Sequence, residues 1–582
     1  MRQHDIASIF SQMADLLEFR GDNPFRIRAY RRAAQNLESF SGDLEGLAAA
    51  GRLQELSGIG PDLAKKIDEY LRTGAVAAFT RLKRSIPKGV FALLEVPGVG
   101  PKTAKLLTER LRISTVRQLE VAAKAHRLSR LPGFQAKKEE NILRGIEILQ
   151  RGRSRMHLGV ALPLAQELLA FLEKIPGVGR VSTAGSLRRM KETIGDLDLL
   201  VAATRPSAVM AAFTRAPFCA RVLAAGDTKS SIVTPEGLQV DLRVVAPDCF
   251  GAALQYFTGS KEHNVRLREL ASRRGLKINE YGVFRTRTNR RLGGREEVEV
   301  YRAVGLPWIP PELREDAGEI EAAKAGRLPT LVDADDIRGD FHIHTTWSDG
   351  SDSLEAMAKA GAARGYQYLA ICDHSQSLKV AHGMPVARLR QQMKKIQALN
   401  KRLPRSFRLL MGAEVDILKD GVMDYPHEVL AGLDFVIGSV HSGFTQPEAV
   451  MTRRIIRAME NPYLTLLAHP TGRLMGQRDA YAVNVEAVLN AAKATGTAVE
   501  INAYPRRLDL CDTAARRAQT LGVTLAISTD SHSLDQLDQM TFGLGVARRA
   551  WLEPKHLLNC LPLEHLLGWV ARKRGRVGRR TR

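Results

Sequence analysis

Two aspartates, Asp196 and Asp198, stand directly before the apolar run Leu199 to Val201. Residues two apart on a strand point to the same face, so both carboxylates are predicted side by side at the head of a buried strand. Adjacent carboxylates repel each other unless a cation lies between them. Just upstream, the stretch 185–189 reads G-S-L-R-R and offers a flexible turn, a hydroxyl and two guanidiniums, which are groups suited to phosphate oxygens.

A third carboxylate, Asp241, lies in the strand-like stretch L-Q-V-D-L-R-V-V. Carboxylates on adjacent strands can hold two divalent ions, one activating a hydroxyl and the other neutralising leaving phosphates. This pattern predicts nucleotidyl transfer. A D-x-D pair alone is also typical of a solvated strand end without a ligand. The upstream G-S turn and Asp241 favour the metal site.

A second set of ligand-type residues follows Arg338, where short apolar strands alternate with helices. Such buried runs predict a parallel sheet or barrel. Imidazoles and carboxylates lie at or just beyond the carboxyl ends of these strands, where barrel active sites gather. They are His342, His344, His374, Glu414, His441, His469, Asp530 and His532, with Asp349 and Asp373 as further carboxylates. Mixed imidazole and carboxylate ligands suit Mn²⁺, Zn²⁺ or Fe²⁺ better than Mg²⁺.

The amino-terminal region is helical in pattern and carries two G-x-G turns about forty residues apart. Their glycines are Gly58, Gly60, Gly98 and Gly100. Such a turn between two short helices directs backbone amides toward an anion, here a DNA phosphate, although G-x-G turns also simply join core helices. A third candidate has Gln135 in place of the second glycine, and we expect it to keep the fold and lose the phosphate contact.

Composition sets the wider limits. The chain has 582 residues, a net charge of +23 and five widely spread cysteines, and its pI is near 10.0. Such a charge predicts a polyanionic partner, with nucleic acid favoured over a membrane surface because no apolar run approaches the roughly 20 residues that a span needs. Without a signal-like apolar block or C-x-x-C spacing, the chain is predicted to be cytoplasmic and free of disulfides and zinc ribbons. We expect a monomer.

The motifs G-S-x-x-R-R and G-D-x-D, together with Asp241, resemble the palm of X-family DNA polymerases, the family of DNA polymerase beta. The segment Y-F-T-G-S-K-E-H-N, residues 256–264, is similar to that family's contact with the incoming nucleotide. The resemblance implies nucleotide binding by Gly185, Ser186, Arg189, Tyr256, Phe257, Gly259, Asn264 and Arg268. In that assignment Tyr256 and Phe257 line the sugar, Asn264 reaches the base and Arg268 faces the template. Ile194 stands where vertebrate relatives carry a phosphate-binding serine, so Ser186 and Arg189 are expected to carry more of the triphosphate affinity.

The first hairpin resembles the lyase domain of the same family and places Lys66 at its Schiff-base lysine. An amine must be unprotonated to attack an aldehyde, so this role requires burial or neighbouring cations such as Lys65. Asp62 and Arg26 replace phosphate-binding lysines of the relatives. A charge that faces DNA is the alternative role of Lys66.

Residues 339 to about 570 are similar to the polymerase and histidinol phosphatase (PHP) domain, a distorted seven-stranded barrel with a trinuclear metal site. H-x-H, D-H-S, S-V-H-S-G, A-H-P-T-G and T-D-S-H carry the likeness. In fused bacterial polymerases this domain is associated with 3′ to 5′ exonuclease activity, and in some cases with abasic-site endonuclease or 3′-phosphatase activity.

The sequence therefore predicts a multidomain enzyme with helix-hairpin-helix domains, an α+β palm with a thumb, and a distorted (β/α)7 barrel. The expected units are a lyase-like domain (1–85), a fingers-like domain (86–155), palm (156–262), thumb (263–318), linker (319–338), PHP domain (339–575) and basic tail (576–582). The expected activity is repair gap filling on gapped or primer-template DNA with deoxynucleoside triphosphates and Mg²⁺ or Mn²⁺, together with trimming of 3′ ends by three ions in the barrel. The alternatives are a catalytically silent DNA-end-binding scaffold and a barrel that hydrolyses small phosphate esters.

Overall fold

The computed structural model describes residues 2–38, 44–56, 58–87, 89–96, 98–131, 134, 138–143, 145–146 and 155–577. Gln135 of the third hairpin and residues 578–582 of the basic tail lie outside the described residues. In the described ranges, no helix is long and apolar enough to cross a membrane.

Helices dominate the first 130 residues, as predicted. They are α1 (Arg2–Arg20), α2 (Pro24–Glu38), α3 (Leu44–Ala49), α4 (Pro61–Thr73), α5 (Ala77–Arg84), α6 (Val90–Leu94), α7 (Pro101–Leu111) and α8 (Val116–Lys124). One face of α1 supplies Ile6, Phe10 and Met13 to a core shared by these helices. Each G-x-G turn leads into a helix with proline at its first position, which is favourable because that position needs no N–H.

The palm is built on a five-stranded sheet whose order is β2-β4-β7-β6-β5. Its elements are β1 (Met156–His157), α9 (Leu158–Glu173), β2 (Val178–Thr183), α10 (Gly185–Arg188), β3 (Thr193–Ile194), β4 (Asp196–Ala203), α11 (Pro206–Thr214), β5 (Arg221–Ala225), β6 (Lys229–Val233), β7 (Gln239–Val245) and α12 (Phe250–Thr258). Strand alternation sends Leu199 and Val201 into the core that holds Leu168 and Phe213, and Leu200 toward Phe250 on the other face. Both faces of β4 are therefore covered, which explains its continuous apolar run.

The thumb contains a three-stranded antiparallel sheet and leads into a packed connection. Its elements are α13 (Lys261–Arg273), β8 (Leu276–Asn279), β9 (Gly282–Arg285), β10 (Arg291–Gly293), α14 (Glu297–Ala303) and α15 (Glu319–Lys324). The stretch 319–338, interpreted from composition as a linker, begins with the fully buried Glu319, which is 2.7 Å from His263 Nδ1. Val332 N donates to Leu552 O at 3.0 Å, so this connection packs against both neighbours.

The carboxyl-terminal half is a seven-stranded parallel sheet in the order β11 to β17. Its elements are β11 (Gly339–Ile343), α16 (Leu354–Ala363), β12 (Tyr368–Ile371), α17 (Val386–Asn400), β13 (Arg408–Asp416), α18 (His427–Ala431), β14 (Phe435–Ser439), α19 (Glu448–Met459), β15 (Leu466–Leu467), α20 (Val485–Thr495), β16 (Ala498–Asn502), α21 (Asp512–Leu521), β17 (Leu525–Ser528), α22 (Met540–Arg549) and α23 (Leu563–Val577). A bridge between Ile343 and Ser531 joins the first and last strands. The predicted barrel is confirmed, and its carboxyl ends meet at one rim.

Two candidate metal-dependent active sites

Glu414 lies at the centre of the barrel rim and is 1% exposed. β13 carries it into a ring of imidazoles that follow the neighbouring strands. The nearest oxygen of Glu414 lies 2.8 Å from His374 Nδ1, 3.1 Å from His469 Nε2, 3.2 Å from His441 Nε2, 3.3 Å from His342 Nε2 and 3.6 Å from His344 Nε2. One carboxylate is thus shared by five imidazoles from the ends of four other strands, which the parallel barrel brings to one rim.

Three overlapping groups of side chains at this rim have ligand atoms within 4.8 Å of one another. The groups are His344, Asp349, His374 and His532; His342, His344 and Asp530; and His374, Glu414 and His441. His344 and His374 each belong to two groups. The structure therefore brings together the nine side chains that sequence reasoning named, with His469 joining through Glu414.

The donor atoms of this cluster fit divalent ions. His342 Nε2, His344 Nε2, His374 Nδ1 and Glu414 Oε2 are buried and have no hydrogen-bond partner among the described residues. Buried polar atoms are normally satisfied, so unsatisfied ones converging on one place indicate ligands. Burial, reinforced by neighbouring His532 and His374, lowers the pKa of His344 to about 3, which keeps its imidazole in the neutral form that metals bind.

Two further carboxylates lie behind the ligand atoms, and each contacts the other ring nitrogen of one imidazole. The sequence analysis did not identify them. Asp416 Oδ1 lies 2.6 Å from His441 Nδ1, and Glu500 Oε1 lies 2.8 Å from His342 Nδ1. Such contacts fix the ring so that the other nitrogen faces the metal. Glu500 stands inside the strand A-V-E-I-N, where a charge in a buried strand was the available signal. Asp373, proposed as a further carboxylate, instead accepts hydrogen bonds from Thr345 and Ser348 and holds the loop that leads to Asp349.

The palm carboxylates lie on two adjacent parallel strands. Asp198 in β4 is directly opposite Asp241 in β7, and Asp196 lies two residues before it. Burial, followed by the charges of Asp196 and Asp241, raises the pKa of Asp198 to about 7. Although burial opposes ionisation of Asp241, hydrogen bonds from Gln239, Ser231 and Lys229 hold its pKa below the usual value. The site places three carboxylates on adjacent strands, with Asp196 exposed, Asp198 half-buried and Asp241 buried, which is an arrangement that divalent cations stabilise.

The G-S turn packs directly on these carboxylates. Gly185 has φ of +57°, and a Cβ there would lie 2.1 Å from Asp198 Oδ2, so only glycine fits. Ala184 N also donates to Asp198 O at 2.8 Å. Ser186 follows as the second residue of α10.

The two arginines after the turn face the T-G-S segment. Arg188 Nη1 donates to Thr258 Oγ1 at 2.7 Å, and its guanidinium pairs with Glu297. Arg189 Nη1 donates to Thr258 O, and its Nε donates to Glu315 Oε1 at 3.0 Å. A Cβ on Gly259 would lie 3.1 Å from Arg189 Nη1. The structure thus joins the two segments that the sequence assigned separately to phosphate and nucleotide.

Family models match four parts of the chain. They describe a helix-hairpin-helix domain (residues 1–76), a SAM-like helix-hairpin-helix tandem (91–147), a DNA polymerase beta thumb (253–315) and a PHP domain (340–504). The chain is also 40% identical over 574 residues to the DNA polymerase/3′-5′ exonuclease PolX of Bacillus subtilis (strain 168), with 98% of this chain and all of that relative covered. The chain belongs to the PolX family. Both resemblances inferred from the motifs are therefore confirmed.

The barrel also resembles shorter proteins. Probable phosphatases of Thermoanaerobacter sp. (strain X514) and Acetivibrio thermocellus are each 28% identical to this chain. They cover 38% and 41% of it, and 89% and 98% of their own lengths. The PHP half of this PolX family member thus has relatives that match it without the polymerase half.

The remaining nucleotide-binding predictions fall at the junction of α12 and α13. Tyr256 and Phe257 are adjacent, with ring centroids 5.2 Å apart. The Arg243 guanidinium lies 4.2 Å from the Phe257 centroid. Asn264 accepts a hydrogen bond from Gln255 at 2.7 Å and donates to Tyr256 O at 2.7 Å, while the Arg268 side chain lies one turn further along α13. Asn264 and Arg268 are four residues apart and therefore lie on one face of α13, the helix that follows the turn held by Arg189.

The helix-hairpin-helix glycines have the backbone geometry that the motif requires. Gly58 and Gly98 have φ of +75° and +88°, and the Cα atoms of Gly60 and Gly100 face open space. Lys66, on the helix after the first turn, is buried, and its Nζ lies 2.5 Å from Asp62 Oδ1. Asp62, which replaces a phosphate-binding lysine of the relatives, therefore pairs with Lys66 within the same helix.

Proposed function

We propose that this chain is an X-family DNA polymerase that fills short gaps during repair and that its PHP barrel is a 3′ to 5′ exonuclease. The proposal is supported by the clustered ligand groups of the barrel and the three carboxylates on adjacent palm strands, within a chain that matches the Bacillus subtilis polymerase/exonuclease along its whole length. The substrates are gapped or primer-template DNA and deoxynucleoside triphosphates. The two hairpins hold the DNA backbone through amides at the amino ends of α4 and α7.

In the polymerase reaction, Asp196, Asp198 and Asp241 would hold Mg²⁺ or Mn²⁺. Ser186 and Arg189 bind the phosphate oxygens, a role for which a planar guanidinium is well suited. Tyr256 and Phe257 lie along the sugar, and Asn264 contacts the base. Gly185 allows the backbone of the G-S turn to approach Asp198 closely.

In the exonuclease reaction, the barrel residues would hold three ions of the Mn²⁺, Zn²⁺ or Fe²⁺ type. Bound divalent ions in the two sites supply Lewis-acid chemistry, which neutralises phosphate charge and activates the attacking nucleophile. Glu500 and Asp416 keep His342 and His441 in the tautomers that leave a ring nitrogen facing inward. The buried rim excludes bulk water from the ligand atoms.

Separate substitutions test the two sites on one labelled, gapped substrate. Asp198→Ala is expected to lower primer extension by about 10³-fold and to leave degradation unchanged, because it removes a metal ligand from the palm alone. His344→Ala is expected to do the reverse. Lys359→Ala, a change of a charged side chain in the barrel helix α16, serves as the control. Primer extension by Asp198→Ala at the wild-type rate, or degradation by His344→Ala at the wild-type rate, would refute that assignment.

The likeness to probable phosphatases favours a second candidate for the barrel, the hydrolysis of phosphomonoesters. That function predicts release of inorganic phosphate from a 3′-phosphorylated primer or a small ester, with no shortening of the labelled strand. The exonuclease predicts stepwise shortening. Gel analysis of the labelled strand alongside a phosphate-release assay separates them.

A further inference from the structure

The palm loop between Arg188 and Asp196 lies against the PHP barrel. Arg549, the last residue of α22, has a side chain that is 6% exposed. Its Nη1 donates to Arg189 O at 2.8 Å and to Glu315 Oε1 at 2.8 Å. A side chain of the exonuclease domain therefore contacts the backbone of a residue assigned to triphosphate binding.

Glu315 links the two arginines. The oxygen that accepts from Arg549 also accepts from Arg189 Nε at 3.0 Å. The opposite side of the Arg549 guanidinium pairs with Asp512 at 2.7 Å, which fixes it to the barrel. Asp512 thus fixes Arg549 to the barrel domain. Arg549 in turn donates to the Arg189 carbonyl and to Glu315, the carboxylate that pairs with the Arg189 guanidinium.

Two more contacts tie the same loop to the barrel. Met190 has φ of +52°, and its Cε would lie 2.7 Å from a Cβ placed on Gly545, so the side chain packs onto the bare backbone of α22. Glu192 Oε2 lies 2.7 Å from Arg473 Nη2. The loop that connects the G-S turn to the metal-binding strand therefore takes its conformation from contacts with the other domain.

We infer that Arg549 is a positioning residue for the polymerase site, because it fixes Glu315 and the Arg189 backbone so that the Arg189 guanidinium stays at the Thr258–Gly259 turn. The inference rests on the proposed function, in which Arg189 binds the triphosphate there. The barrel then contributes to nucleotide affinity without touching the nucleotide. A merely structural interface would instead predict parallel losses in both activities and no selective change in the KM for nucleotide.

The test uses the full-length protein and one single-nucleotide-gap substrate. For Arg549→Ala we expect the KM for the incoming nucleotide to rise about tenfold, as loss of charge-assisted hydrogen bonds predicts. We expect kcat to change less than about twofold and the exonuclease rate to stay constant. Arg549→Lys, which keeps one cationic donor, should recover part of the affinity. The matched control is Arg517→Ala, which removes an arginine of the barrel helix α21 whose partner is the surface residue Glu486.

A double-mutant cycle tests the path through Glu315. Glu315→Gln combined with Arg549→Ala should raise the KM by less than the product of the two single effects. If Arg549→Ala does not fold, Met190→Ala, which loosens the same loop from the palm side, should still raise the KM. An unchanged KM in the folded variants, or an exonuclease loss equal to the polymerase loss, overturns the inference. Failure of the wild-type protein to extend the primer refutes the proposed function instead.

Discussion

Burial opposes ionisation of the key carboxylate in both the palm and the barrel, yet the neighbouring side chains shift the two pKa values in opposite directions. In the barrel, imidazoles led by His374, His441 and His342 outweigh the effect of burial and hold the pKa of Glu414 well below its usual value. In the palm, burial and two neighbouring carboxylates raise the pKa of Asp198 to about 7. The identity of the neighbours therefore decides whether a buried carboxylate is ionised before any cation arrives.

The palm and the barrel also differ in the distances between their candidate ligand atoms. Imidazoles and carboxylates tolerate close approach to one another, and in the described residues the side-chain groups with ligand atoms within 4.8 Å all lie in the barrel. The palm carboxylates do not form such a group, and Lys229 Nζ lies 3.1 Å from Asp241. We infer that the barrel is assembled to retain its ions, whereas the palm completes its site when cations arrive with the nucleotide. The predictions below test this difference.

The largest effect is expected for Glu414→Gln. Glutamine keeps the shape of the side chain but removes the charge that five imidazoles share, so several ions lose a ligand together. Exonuclease activity should fall by about 10³-fold or more, and the metal content of the purified protein should drop, while primer extension is retained. Elemental analysis together with the two activity assays measures this. A variant with full metal content would show that Glu414 is not the shared ligand.

A smaller effect is expected for Gly185→Ala in the palm. The added Cβ would lie 2.1 Å from Asp198 Oδ2, so the carboxylate must move by about 1 Å, and such a displacement can cost about 10²-fold in rate. Primer extension should fall by that factor with the exonuclease unaffected. Gly237→Ala is a matched control, since its φ is +86° and its Cβ would meet nothing within 4 Å. Equal losses in both variants would attribute the effect to backbone strain rather than to Asp198.

Much of both sites could be predicted because short motifs carry them. Alternation along a strand puts Asp196 and Asp198 on one face, and parallel strand ends bring distant histidines to one rim. Glu500 and Asp416 escaped prediction because their partners lie 158 and 25 residues away in sequence, and they stand inside strands that otherwise look apolar.

The contacts between the domains also could not be predicted from the sequence. Composition marks 319–338 as a break in periodic structure, but Glu319 is buried against His263, and Val332 is tied to Leu552. In the sequence, Arg549 looks like an ordinary basic residue at the carboxyl end of a helix, where its charge would interact favourably with the helix dipole. Arg549 reaches Glu315 only because the two domains pack against each other, and no local sequence pattern predicts that contact.

The smallest effect concerns pH and the palm alone. Because the pKa of Asp198 is raised, the folded, metal-free palm holds this proton up to about pH 7, whereas the unfolded chain releases it near pH 4. Stability from this group is therefore lost as pH rises through that range. A cation must displace the same proton, so the Mg²⁺ concentration that half-saturates primer extension should rise about twofold between pH 8 and pH 7 and about fivefold between pH 7 and pH 6. Titrations of Mg²⁺ at pH 6, 7 and 8 measure it independently of the rate at saturation. A constant half-saturating concentration would mean that Asp198 stays ionised as Glu414 does, and the contrast between carboxylate and imidazole neighbours would lose its physical basis.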